Sequence, residues 1–179
     1  MTRRLPQFWR DRRGVSAVEF ALILPLLMLF YFGMAELTEA MMAQRRLSHL
    51  TASIGDVVAR DTRFTDARRT DVFSSGKIMM SPFPTSTLRM CVVSVVSDAA
   101  GRDTVAWSET SNGHANCPGA GAVLSIPVAV LPPNHSVIMS KASYEYDSMF
   151  KLIVPDTLTF RRTFYLRPRL SPTVERVRQ

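Results

Sequence analysis

The chain has 179 residues, enough for one domain and an added element and too few for two ordinary domains. Its apolar share of 46% is that of a folded protein, which excludes disorder throughout. The formal charge of +7 hints at nucleic acid or anionic lipid, but +4 of it sits in the first fourteen residues, where Arg3, Arg4, Arg10, Arg12 and Arg13 face Asp11 alone. A charge so placed reads as a topology signal.

Residues 1–14 form a short basic leader with Pro6 and Trp9. From Val15 to Ala35 the only charge is Glu19. As a helix that stretch spans about 31 Å, against a hydrocarbon core of about 30 Å. Arginines precede it and Glu36 and Glu39 follow, so the positive-inside rule keeps the N-terminus in the cytoplasm and sends the bulk of the chain across the membrane. Pro25 lies mid-span, where its missing N–H is expected to bend the helix.

Residues 36–60 continue as a juxtamembrane amphipathic helix. Ala40, Ala43, Leu47, Leu50, Ile54 and Val57 recur at spacings of three and four, an apolar stripe with two readings. It packs on the chain's own domain, or it meets a partner helix of another subunit. Asp61–Ser75 reads as a polar link.

The rest, 61–170, shows short β-like runs. Leu88–Ser97 is rich in β-branched residues and is followed, after DAAGRD, by TVAWSE, which together make a hairpin. Ser111–Gly121 is a loop by composition. AVLSIPVAVLPP, with its three prolines, is an edge strand or an irregular packed segment. SVIMSKASYEYD alternates and places Ile138, Ala142, Tyr144 and Tyr146 on one face, and TLTFRRTFYLRPRL supplies a last strand. Residues 171–179 are a polar tail. The expected fold is α+β: a long N-terminal transmembrane-plus-periplasmic helix carrying a small antiparallel-sheet domain.

Cys91 and Cys117 both fall in the part placed outside the cytoplasm, where an even count favours one disulfide. A zinc site using Cys117, His114 and His135 is conceivable, but no second close Cys/His pair completes it. No nucleophile triad, phosphate-binding glycine loop or metal-binding helix motif is present, and Asp98 and Asp103 read as turn residues rather than an acid/base pair. We expect no catalytic residues, no cofactor, no metal and no small-molecule substrate. The C-terminal arginines Arg161, Arg162, Arg167, Arg169, Arg176 and Arg178 read as a solvated strand face rather than a nucleic-acid site.

What chemistry remains lies at the N-terminus. The order G-V-S-A-V-E-F before a long apolar run resembles the processing site of type IV prepilins. The fuller pattern R-R-G-x-S-A-V-E-F-A-L-I-L-P-L-L is similar to the TadE-like family of tight-adherence (Tad) pilus proteins, and the A-x-x-x-R-R-L helix and T-F-Y-L-R-P-R (Thr163–Arg169) extend the likeness. The resemblance implies a pilin-like fold and a non-enzymatic pseudopilin or minor pilin. It implies cleavage between Gly14 and Val15 by a membrane prepilin peptidase, and Glu19, fifth in the mature chain, as the carboxylate that sets register in assembly. Implied partners are that peptidase, other pilins or pseudopilins and the bacterial inner membrane, with incorporation in an extracellular pilus as a further expectation. The length argues against the long G type and leaves the E and F types. Two rival readings remain: a secretory signal cut after Ala35, with Gly33-Met34-Ala35 as a small-x-small site, or an uncleaved single-pass anchor.

Overall fold

The computed structural model describes residues 14–113, 116–153 and 156–178, so the basic leader before Gly14 lies outside the described residues. With no proline between Pro25 and Pro82, nothing in the sequence breaks the first helix, and α1 runs unbroken from Val15 to Ala59 through Pro25. Its 45 residues extend about 67 Å. Every side chain from Val15 to Tyr31 is exposed. From Gly33 onward a buried stripe appears at spacings of three and four: Gly33, Glu36, Ala40, Ala43, Leu47, Leu50, Ile54 and Val58.

That stripe covers one face of a five-stranded antiparallel sheet of order β4-β3-β2-β5-β6. The strands are β2 (Arg89–Ser97), β3 (Asp103–Ser111), β4 (Val123–Leu124), β5 (Ser136–Tyr146) and β6 (Leu158–Leu166). Met90 and Val92 from β2 and Ile138, Ala142, Tyr144 and Tyr146 from β5 meet the helix in the main core. The approach is close where the helix is small. A Cβ on Gly55 would lie 2.6 Å from Leu166 Cδ1 and 2.7 Å from Ser140 Oγ, and that hydroxyl donates to the Thr51 carbonyl at 2.7 Å. The helix therefore rests nearly on the backbone of β5.

The other sheet face has its own small core, in which Cys91, Val93, Val95, Val137 and Met139 pack under Ile126 and Leu131 of the long β3–β5 connection. Coverage on both faces is why β2 is apolar almost throughout instead of alternating. The Cys91–Cys117 disulfide ties that connection to β2. Because Cys117 is oxidised it offers no thiolate to zinc, and His114 lies outside the described residues. In the hairpin, Asp98 Oδ1 accepts from the N–H groups of Arg102 (2.8 Å) and Ala100 (2.9 Å), and Gly101 takes φ +77°. Those backbone donors hold the Asp98 carboxyl below its ordinary pKa.

AVLSIPVAVLPP takes both forms expected of it: Val123–Leu124 are the short edge strand β4, and Ile126 and Leu131 pack irregularly in the second core. Two expectations need correction. The polar link contains a helix, α2 (Asp66–Met79), capped by Thr65, whose side chain accepts from Arg68 N–H at 3.2 Å, and anchored by buried Val72 and Phe73. The polar tail is packed. Its β7 (Glu175–Arg176) pairs in parallel with β1 (Arg63–Phe64), Val174 is buried, and the Trp107 indole donates to the Val174 carbonyl at 2.7 Å.

Serine at Cys91 or Cys117 is expected to remove about 3 kcal/mol of domain stability, since the bond closes a loop of sequence separation 26. Cys91→Ser should be the worse of the two, because it also places a hydroxyl where the side chain is fully buried. Thermal melts of the two variants beside the parent check this, and unchanged curves would contradict it.

Candidate functional site: the N-terminal helix and its seam with the domain

The helix divides into halves with different surroundings. In the outer half of the stripe, Ala40, Ala43, Leu47, Leu50 and Ile54 are buried against the chain's own sheet. Of the two readings of this stripe, the structure shows these residues packed on the chain's own domain. Val57 is 36% exposed and leaves the stripe, whose last buried member is Val58. At 100° per residue, Val58 follows Ile54 on the inner face and Val57 turns away from it.

The face left open is the opposite one. Met34, Leu37 and Met41, again three and four apart, are exposed apolar residues on the back of the helix, followed by Arg45, Arg46 and His49. Sequence reading missed this second, shorter stripe because the longer one matched the period better. The signal was present in the run M-A-E-L-T-E-A-M-M, which is too apolar for a surface that meets water alone.

Nearer the N-terminus, the described residues from Gly14 to Tyr31 are all exposed. Gly14 sits at the N-cap position with no side-chain bond, Val15 opens the first turn, and Glu19 lies one turn on, exposed. It is the sole charge among the exposed residues from Gly14 to Tyr31. By length and apolarity α1 qualifies as a membrane span.

Where the halves meet, one loop folds back on the helix. Phe150 packs on Phe32 with ring centroids 5.3 Å apart, and Ile153 fills the space a side chain on Gly33 would occupy. Glu36 is fully buried, and its Oε2 accepts from the Ile153 N–H at 2.8 Å. A turn further, the Tyr146 hydroxyl donates to Glu39 Oε2 at 3.4 Å. Burial raises the Tyr146 phenol above its ordinary pKa, with the Glu39 charge adding to it, and burial alone does the same for Tyr144. Among the C-terminal arginines, Arg162 donates to Ser48 Oγ (2.9 Å), Arg169 to Asp56 (2.6 Å), and Arg176 to Asp66 and Glu109. They hold the domain to its helices.

The chain is thus a long helix, bare and apolar over its first half and carrying an antiparallel α+β domain on its second. Residues 14–54 are similar to the family model described as TadE-like protein, and the match supports a pilin-like protein associated with the Tad pilus. It begins at Gly14 and ends at Ile54, within the buried stripe. No curated protein and no solved structure matches the chain.

Proposed function

We propose that this protein is a membrane-anchored pseudopilin, or minor pilin, of a tight-adherence pilus, cut between Gly14 and Val15 by a prepilin peptidase and assembled through its N-terminal helix. The observation that carries the reading is the TadE-like match starting at Gly14 on a helix whose first seventeen residues, Val15–Tyr31, are all exposed. So much apolar surface, carrying a carboxylate near its start, is suited to lipid in one state and to neighbouring helices in the next. The N-terminus lies in the cytoplasm and the domain in the periplasm, by the arginine asymmetry. The role is structural, with other pilins as partners, and the exposed Met34, Leu37 and Met41 face is the surface they meet first. Packing of Phe32 and Gly33 against the domain supports retention of the helix over release by a cut after Ala35, since that cut would divide the seam.

Intact mass and N-terminal sequence of protein from bacterial membranes, with and without active prepilin peptidase, test the proposal. The expected mature chain starts at Val15 only when the peptidase is present. A chain starting at Glu36 would make it a secreted domain, and one that keeps its leader in both strains would make it a plain anchor.

A further inference from the structure

Met149, Phe150, Leu152 and Ile153 form an apolar patch within five residues, and they are 80%, 44%, 48% and 58% exposed. Isolated surface hydrophobes are ordinary, but four together on one loop of a small domain call for a partner. The loop's position says which. Counted from Val15, a hydrocarbon core of about 30 Å takes about 20 helical residues and ends near Met34. The loop meets the helix at that level, Phe150 on Phe32, Ile153 on Gly33, and the Ile153 N–H on the Glu36 carboxylate at 2.8 Å. Any tilt of the helix lengthens the chain needed to cross and sets the loop deeper.

We propose that residues 149–153 insert into the outer interfacial layer of the same membrane that α1 spans, so that the protein holds its bilayer by a helix and a loop. The inference rests on the reading of α1 as a membrane anchor. The chemistry of the loop fits the headgroup boundary. Phe150 and Phe32 join the exposed Tyr31 as an aromatic girdle. The one charged residue, Lys151, is 3.1 Å from Asp147 and is long enough to keep its ammonium among the headgroups while its neighbours sink. Glu36 supplies the fixed end. By accepting the Ile153 N–H it satisfies a backbone donor that would otherwise enter an apolar layer unpaired. The occupant is lipid because the patch lies where the exposed apolar surface of the span ends, with Phe150 against Phe32 and Phe32 against the exposed Tyr31. The loop then fixes the tilt and rotation of the domain over the membrane, which a lone helix leaves free.

The test uses the full chain in vesicles of phosphatidylethanolamine and phosphatidylglycerol. Since Cys91 and Cys117 are joined, a single added cysteine takes a nitroxide label selectively. Labels go on Met149→Cys and Leu152→Cys, with Leu26→Cys marking the span. Val128→Cys serves as the water control, in the connection that ends at the far end of β5 from Tyr146. Accessibility to oxygen, which concentrates in lipid, is compared with accessibility to a water-soluble nickel chelate. The loop labels are expected to shift with Leu26, oxygen exceeding nickel, while Val128 shows the reverse. Adding Phe150→Asp should move the Met149→Cys label toward the water pattern. Loop labels that follow Val128 while Leu26 stays lipid-like would overturn the insertion and leave the anchor standing. Loop labels shielded from both reagents would mean a protein partner and overturn it equally. A water-like Leu26 would remove the anchor and the loop placement together.

Discussion

Glu19→Ala is expected to be processed and inserted as the parent is, and to be missing from the assembled pilus. In the free protein the carboxylate is exposed near the start of an apolar helix. An ionised side chain at bilayer depth costs about 2.5–3.5 kcal/mol at a helix centre and less toward the ends, so alanine should insert slightly better. The loss comes on assembly. Cleavage at Gly14 would leave a new amine on Val15, with an ordinary pKa of about 7.7–8.0, four residues from Glu19. In the proposed assembly, mature helices would pack side by side with the carboxylate of one against the amine of its neighbour, and a buried charge that is expensive alone would become tolerable as a pair. Slipping the helices by a turn leaves both charges unpaired, so the pair selects the axial register more than it adds affinity. The amount of variant in sheared pili relative to the membrane fraction, read by immunoblot beside the mass of its N-terminus, decides the matter. Incorporation at the parent level with a correct N-terminus would refute the role given to Glu19.

The same helix shows which part of the architecture a sequence discloses. Ala40, Ala43, Leu47, Leu50 and Ile54 could be placed on one face from spacing alone, since a helix fixes the angular position of each residue. Spacing is silent about what that face meets. The answer lay in β5, some ninety residues away, where Ser140 bonds the Thr51 carbonyl and Leu166 of β6 closes over Gly55. Helix α2 was legible in principle: Thr65 is a capping residue, Asp66 follows it in the first turn, and Val72, Phe73 and Gly76 recur on one side. Its polarity concealed it, because only a narrow stripe of a surface helix needs to be apolar. The loop at 149–153 was hidden for a different reason. Its apolar residues belong to no periodic element, and only the fold brings them to Phe32 and Gly33.

Arg176 is the plainest case of a residue whose importance is tertiary, and Arg176→Met is expected to destabilise the domain by about 3 kcal/mol. In the sequence it is one arginine of a polar end. In the fold its side chain is only 8% exposed, lies over the Phe64 ring, and forks between Asp66 of α2 and Glu109 of β3, with Nε 2.8 Å from Glu109 Oε1. It also donates to the Phe64 carbonyl at 3.1 Å, so one guanidinium links β1, β7, α2 and β3. Methionine keeps the stem packing but leaves Glu109, 14% exposed, with the Arg69 contact alone and the Phe64 carbonyl without this donor. The value falls at the low end of a broken buried pair because Asp66 is half in water and Arg69 remains. A melt of the full chain in detergent should fall by on the order of 10 °C. Arg176→Lys should recover part of the loss, since an ammonium cannot serve both carboxylates with the geometry of the fork. Adding Glu109→Gln to Arg176→Met should recover some of it as well, because the unpaired charge is then gone. A parent-like melt for Arg176→Met would show that the C-terminal segment is held by Val174 and the Trp107 bond instead, and that the ion pairs contribute little.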